Sequence, residues 1–183
     1  MKKINIGLLV ITLVCSFFTI MGELDKGIVI ILKDSSIVLT ATLPYIINKL
    51  FNIKLNDGVI FVWLVFIFLA HYMGVTAEFY NKWEGFDKVV HTFSGVLTAY
   101  VGMLFLPEGV KNIWFKILFI IAFSALCAFA WETFEFVCNI LFGGDAQRVA
   151  ETGVTDTMLD MIVAFIGASA FSLVYYVKEK VKN

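Results

Sequence analysis

The chain has 183 residues, of which 60% are hydrophobic, and its mean hydropathy is +0.89. A composition this apolar excludes an ordinary soluble domain and is typical of a protein that crosses the membrane several times. The formal net charge is −1, and the only basic run is Lys178, Lys180 and Lys182, so no nucleic-acid partner is indicated. We predict an all-α, polytopic transmembrane helix bundle, with residues 1–183 forming a single integral membrane domain.

Apolar segments near the ~20 residues that a helical span requires recur along the whole chain. We predict six spans, at about residues 4–22, 28–48, 58–78, 89–106, 117–142 and 156–177. The first lacks a cleavage motif and is therefore interpreted as an uncleaved signal anchor. The second contains Lys33 and Pro44, so residues 23–34 either lie in the membrane interface or belong to this span.

The distribution of lysine and arginine predicts how the spans are oriented. With Lys33 set aside, nine of these residues fall on one side of the membrane and four on the other. The nine are Lys2, Lys3, Lys49, Lys54, Lys111, Lys116, Lys178, Lys180 and Lys182, and the four are Lys26, Lys82, Lys88 and Arg148. Because cytoplasmic loops carry the excess of basic residues, both termini are predicted to be cytoplasmic.

Ionisable and small residues share one helix face in each of the last four spans, because positions three or four apart lie on the same face. The faces are His71, Gly74 and Glu78 in the third span; Asp87, His91, Gly95, Thr98 and Gly102 in the fourth; Ser124, Ala128, Glu132, Glu135 and Asn139 in the fifth; and Asp156, Asp160, Ala164, Gly167 and Ala168 in the sixth. Small residues let membrane helices approach closely, so we expect these faces to pack against one another.

The ionisable residues on these faces all fall toward the extracytoplasmic side. The third and fifth spans run outward and carry them in their later halves, whereas the fourth and sixth run inward and carry them in their first turns. Each such group costs on the order of 3 kcal/mol at a helix centre, so it usually marks a functional site. We predict that five side chains converge on one pocket: Asp87, His91, Glu132, Glu135 and Asp160.

Carboxylates together with one or two imidazoles suit a divalent cation such as Mg²⁺, Mn²⁺, Fe²⁺ or Zn²⁺. The five converging residues are therefore the predicted metal ligands, and Glu132 or Glu135 is also the predicted general base. Three weaker ligand candidates have simpler explanations. Asp156 stands where a helix N-cap belongs, His71 suits a hydrogen-bonded core histidine, and Glu78 suits a solvated acid at a helix end.

The segments that carry these residues resemble the YjdF-type family of bacterial inner-membrane proteins, in order from about residue 58 to 170. They are Phe79-Tyr80, Phe86-Asp87-Lys88-Val89-Val90-His91 with Gly95, Trp131-Glu132-Thr133-Phe134-Glu135-Phe136, and Asp156-Thr157-Met158-Leu159-Asp160-Met161 with Gly167-Ala168. This resemblance implies the fold, the site positions and a multi-pass location in the bacterial cytoplasmic membrane, but no reaction. The D-K-x-x-H segment alone is also similar to VanZ-like membrane proteins, a family linked to glycopeptide-antibiotic tolerance and the cell envelope.

Three functions remain open from the sequence. The first is a membrane-embedded, metal-assisted enzyme that acts on a lipid or cell-envelope substrate from the outer leaflet. The second is a component of a cation- or proton-coupled transporter, and the third is a non-catalytic membrane partner whose polar core is structural. The ionisable residues cluster on one side of the membrane, which favours a binding site over a transport path across the membrane. Six spans without an inverted repeat are also few for alternating access, unless the protein forms a homo-oligomer.

Overall fold

The computed structural model describes residues 1–25, 27–50, 52, 55–142, 145 and 147–182, and all regular structure in these residues is helical. The predicted all-α class is therefore confirmed for this part of the chain. The chain divides into two compact units, Met1–Phe86 and Asp87–Asn183. The single membrane domain of the sequence analysis stays a prediction.

Six long helices lie close to the six predicted spans, and two short helices lie in the connections. The first unit contains α1 (Lys2–Gly22), α2 (Ile28–Leu50), α3 (Asp57–Ile67), a π-helical continuation of α3 (Phe68–Thr76) and α4 (Phe79–Lys82). The helix α5 (Phe86–Leu104) begins at the boundary, and the second unit continues with α6 (Ile113–Phe142), α7 (Val149–Thr152) and α8 (Thr155–Lys182).

Four helical stretches are long and apolar enough to cross a membrane: Lys2–Gly22, Asp57–Thr76, Ile113–Leu141 and Thr155–Val181. The described residues of α2 and α5 do not meet the same criterion. In α5 the first turn carries Asp87 and Lys88, and polar residues continue along one face of the helix, which lowers its hydropathy. Six spans therefore remain a prediction.

The first unit has an apolar core formed by Ile37, Ala41, Ile60, Leu64 and Ile67. Buried polar groups connect its helices. The Asn5 side chain of α1 donates a hydrogen bond to the backbone carbonyl of Asp57 at 2.8 Å, and the Trp63 indole of α3 donates to the carbonyl of Thr40 at 2.9 Å. The side chain of Asn56 caps α3 by accepting from the backbone N–H of Val59 at 3.0 Å.

Very close helix contacts characterise the second unit. Gly95 of α5 lies against the carbonyl of Ala164, and Gly167 of α8 lies against the carbonyl of Thr92, so a side chain at either glycine would collide with backbone. The expectation that the small-residue faces of these two spans pack together is therefore confirmed. On the neighbouring side, the hydroxyls of Thr98 and Ser124 are 2.7 Å apart and join α5 to α6.

The helices α6 and α8 pack against each other in opposite directions. Lys116, near the start of α6, forms an ion pair with Glu179, near the end of α8, at 3.1 Å. The rings of Trp114 and Tyr176 stack beside this pair, with their centroids 5.6 Å apart. These contacts mark one end of the unit, and the amino-terminal ends of α5 and α8 mark the other.

Candidate functional site

An ionic cluster with Lys88 at its centre lies where α5 and α8 begin. The Lys88 ammonium is 2.6 Å from Asp156 Oδ1, 2.8 Å from Asp160 Oδ1 and 3.2 Å from Asp87 Oδ2. Asp156 and Asp160 are one turn apart on α8 and therefore share a face. The close approach of the two helices brings that face within reach of the first turn of α5.

The imidazole of His91 completes the cluster one turn further along α5. His91 Nε2 is 3.5 Å from Asp87 Oδ1 and 3.8 Å from Asp160 Oδ1. Asp87, His91 and Asp160 each offer one ligand atom, and these three atoms all lie within 4.8 Å of one another. Ligands on opposite sides of a hard cation are roughly 4–5 Å apart, because each bond is about 2.0–2.6 Å long. The three residues could therefore hold one divalent cation.

The charge balance of the cluster leaves room for a further cation. Three carboxylates face one ammonium, which leaves an excess of two negative charges while His91 is neutral (3 − 1 = 2). The acids on α8 are almost fully buried, with side chains 6% and 5% exposed for Asp156 and Asp160. Buried carboxylates in excess need a cation or a proton, because the low-dielectric surroundings disfavour unpaired charge.

Glu132 lies on α6 and is also buried, with 6% of the residue exposed. The side-chain amide of Gln147 donates hydrogen bonds to the backbone carbonyl of Glu132 at 3.0 Å and to Glu132 Oε2 at 3.2 Å. Glu132 Oε1 is buried as well, and it has no hydrogen-bond partner among the described residues. This oxygen therefore has lone pairs available for a ligand or a proton.

Glu135 lies one turn further along α6 and is half-buried. Its Oε1 accepts a hydrogen bond from the Trp131 indole at 2.8 Å. Both Glu132 and Glu135 are close enough to His91 to interact with it electrostatically. The two glutamates thus stand beside the group Asp87, His91 and Asp160 without belonging to it, and their predicted roles as ligand or base stay predictions.

The two remaining predicted residues belong to the unit Met1–Phe86. His71 lies in the π-helical segment, where its Nε2 is 3.3 Å from Ser36 Oγ and its Nδ1 is 3.4 Å from Thr40 Oγ1. Glu78 adopts a left-handed backbone conformation (φ +61°) just before α4, and its carbonyl accepts from the N–H of Lys82 at 3.0 Å. The contacts of His71 are those of a hydrogen-bonded histidine. The weaker prediction of both residues as metal ligands stays a prediction.

Two residues that the sequence analysis did not single out contribute to the site. Lys88 entered as a basic residue of an outer connection and as part of the segment Phe86–His91, without a role in the site, although the adjacent Asp87 at a span boundary was a signal for an ion pair. Gln147 lies in the connection between α6 and α7, and no signal in the sequence indicated its burial against Glu132. Gly143 and Gly144 of the same connection lie outside the described residues.

The helical stretches that are long and apolar enough to cross a membrane indicate an integral membrane protein. Residues 4–180 match a family model described as "Predicted membrane protein (DUF2238)", and the chain belongs to this family. No curated protein and no solved structure matches the chain. The resemblance to YjdF-type proteins stays a prediction, and the comparisons give no support to the similarity with VanZ-like proteins.

Proposed function

We propose that this membrane protein binds a divalent cation through Asp87, His91 and Asp160, and that the site acts on a lipid or cell-envelope substrate. The observation that carries the proposal is the approach of the three ligand atoms to within 4.8 Å of one another. Two carboxylates and an imidazole form a donor set suited to Mg²⁺, Mn²⁺, Fe²⁺ or Zn²⁺.

Lys88 is the natural competitor of such a cation. Its ammonium already contacts Asp87 and Asp160, so it neutralises part of the cluster when no metal is bound. The Lys88 side chain is 26% exposed, so it can rotate toward solvent when a cation takes its place. Exchange between the ammonium and a divalent cation then keeps the buried carboxylates paired in both states.

We further propose that the chain is a YjdF-type protein that crosses the bacterial cytoplasmic membrane six times, with both termini in the cytoplasm. Lys178 and Lys180 flank Glu179 in the last turns of α8, at the end opposite to the ionic cluster. If the basic end is cytoplasmic, as the positive-inside rule predicts, the cluster lies in the extracytoplasmic half. A substrate would then approach from the outer leaflet.

Glu132 is the residue best suited to move a proton during the reaction. The cation would supply polarisation of a carbonyl or phosphoryl oxygen of the substrate. Glu132 is more deeply buried than Glu135, and its Oε1 has no hydrogen-bond partner among the described residues.

Binding of Mn²⁺ to the purified protein tests this proposal. We expect wild-type protein to bind about one Mn²⁺ and to gain thermal stability, by roughly 2.7 kcal/mol when free Mn²⁺ is a hundredfold above Kd. Asp160→Asn should abolish both effects. Glu179→Gln, which removes a carboxylate from the ion pair at the other end of the same helix, should leave both unchanged.

Two outcomes would count against the metal site. If wild-type protein binds no stoichiometric Mn²⁺, Mg²⁺, Fe²⁺ or Zn²⁺ but its stability changes with pH, the carboxylates exchange protons and a proton-coupled transporter is favoured. If neither metal nor pH has an effect, the polar core is structural.

A further inference from the structure

An apolar groove runs along α6 and α8 beside the ionic cluster. Its wider part has a volume of about 410 Å³, and a smaller hollow of about 280 Å³ adjoins it at Met161, which lines both. The wider part is lined chiefly by Phe129, Glu132 and Phe136 of α6, by Val154 just before α8, and by Thr157 and Met161 of α8. The volume of the wider part lies within the usual range for a small-molecule site, about 300–1,000 Å³.

The groove is open at the surface of its unit, and it would face the hydrocarbon of the bilayer if α6 and α8 cross the membrane. Phe129, Phe136 and Val154 are 60%, 55% and 67% exposed, and they lie on or beside helical stretches long and apolar enough to cross a membrane. On α6 the lining extends over residues 125–136, which corresponds to about 16 Å at 1.5 Å per residue. That length is close to half of the ~30 Å hydrocarbon core, the depth that one acyl chain covers.

Two of the residues that line the groove each hold a polar atom that is buried without a hydrogen-bond partner among the described residues. The two atoms are the Oε1 of Glu132 and the Oγ1 of Thr157. Leaving buried polar atoms unpaired costs about 1–3 kcal/mol each, so such atoms usually await a ligand or an ordered water. The carboxylate oxygen accepts a hydrogen bond, whereas the threonine hydroxyl can donate one.

We infer that this groove binds a lipid with a free hydroxyl group, with one hydrocarbon chain along the groove and the hydroxyl between Glu132 and Thr157. A single alcohol matches both unpaired atoms, because its O–H donates to Glu132 Oε1 and its oxygen accepts from the Thr157 hydroxyl. A phosphocholine headgroup can accept from the Thr157 hydroxyl through its phosphate oxygens, but it offers no N–H or O–H donor to Glu132 Oε1. The inference rests on the proposed function only in identifying this lipid as the substrate.

Photo-crosslinking in EDTA tests lipid binding separately from metal binding. The probe is a diacylglycerol with a diazirine in one acyl chain, and unlabelled dioleoylglycerol or dioleoylphosphatidylcholine competes with it. We expect adducts on groove residues such as Met161 and Phe129, with at least tenfold stronger competition by dioleoylglycerol. Met161→Trp should block labelling of the groove, whereas Met158→Trp on the same helix, outside the lining, should not.

A matched pair of threonine variants separates recognition of the lipid hydroxyl from apolar contact with its chain. Thr157→Val removes the unpaired hydroxyl and should lower the affinity for dioleoylglycerol about tenfold. Thr133 also lines the groove, but its hydroxyl already donates to the carbonyl of Phe129 at 2.8 Å, so Thr133→Val should leave the affinity unchanged.

Equal competition by the two lipids, or an equal loss in the two threonine variants, would overturn the inference. The result for the proposed metal site is independent of the result for the groove. Selective labelling in EDTA supports the groove even if no metal binds, and stoichiometric Mn²⁺ binding with unselective labelling refutes the groove alone.

Discussion

At the scale of single residues, Lys88 organises the candidate site. Its position follows from where α5 begins, which is Phe86 rather than residue 89. Phe86 is buried and its ring packs against those of Phe79 and Trp83, with centroids 5.4 Å and 5.9 Å away. Because this aromatic contact anchors the first residue of the helix, Asp87 and Lys88 fall in the first helical turn instead of in a solvated connection.

Replacing Lys88 by Met should separate a metal site from a purely structural cluster. The change keeps the length of the side chain but leaves three carboxylates without their ammonium, so we expect a loss of about 3 kcal/mol in unfolding free energy. Mn²⁺ should restore this loss and stabilise the variant more than wild type, since its competitor is gone. Thermal unfolding in detergent, with and without Mn²⁺, measures both effects.

Lys116→Met is the matched control for this experiment. It removes the ammonium of the ion pair with Glu179, whose side chains are similarly exposed, at 20% and 25%. This variant should lose less stability, because it leaves one partly exposed carboxylate without its ammonium, whereas Lys88→Met leaves three, two of them almost fully buried. Mn²⁺ should stabilise it only as much as wild type. A Lys88→Met protein that gains no more from Mn²⁺ than wild type would contradict competition at the cluster.

At the scale of helices, the contact between α5 and α8 determines whether the site exists. Gly95 and Gly167 remove the side chains that would otherwise hold the two backbones apart. Acids on α8 reach Lys88 only because this approach is so close. The serine and threonine hydroxyls that join α5 to α6 hold the third helix in the same group.

Gly95→Ala should weaken this contact, since its methyl group would collide with the backbone carbonyl of Ala164 and not with a flexible side chain. We expect a loss of about 1–3 kcal/mol in unfolding free energy, the usual effect of overpacking. Gly7→Ala in α1 is the control, because nothing lies within 4 Å of its added Cβ and alanine favours a helix. If both variants unfold at the wild-type temperature, the backbones are not in contact.

At the scale of the whole molecule, the two units carry different polar chemistry. The unit Met1–Phe86 holds buried hydrogen-bonding groups such as Asn5, Thr12 and Ser16, whereas the unit from Asp87 onward holds the ionic cluster. Large apolar side chains remain exposed along α1, α6 and α8, as expected for helices that face lipid. The side of the membrane on which the cluster lies follows only from the basic residues.

Cysteine labelling in intact cells tests that orientation. In a background without Cys15, Cys127 and Cys138, an impermeant maleimide should label Lys82→Cys and Arg148→Cys, because both connections are predicted to face outward. Lys111→Cys should be labelled only after the cells are opened, and a permeant maleimide should reach all three positions in intact cells. Lys54, in the other predicted cytoplasmic connection, lies outside the described residues.

Labelling of Lys111→Cys by the impermeant reagent in intact cells would reverse the proposed topology. The ionic cluster would then lie toward the cytoplasm, and a substrate would come from the inner leaflet. The metal-binding proposal does not depend on this result, because the distances within the cluster are the same in either orientation.

The amino-acid sequence by itself determined the class of protein, the positions of the long helices and the helix faces that carry acids and small residues. These features depend on hydropathy and on the 3.6-residue period, which are summed over neighbouring residues and need no knowledge of distant contacts. For this reason the sequence was enough to predict the faces that carry Gly95 and Gly167. It was also enough to predict that Asp87 and His91 share one face of the same helix.

Only the tertiary structure decided which side chains meet across helices. Lys88 and Asp160 are 72 positions apart in the chain, and Gln147 reaches Glu132 from a connection with no helical period to predict its direction. Such contacts depend on the distance between helix axes and on the rotation of each helix. A shift of a few ångströms in either would replace the ion pairs and the groove by other contacts, while the hydropathy pattern stayed the same.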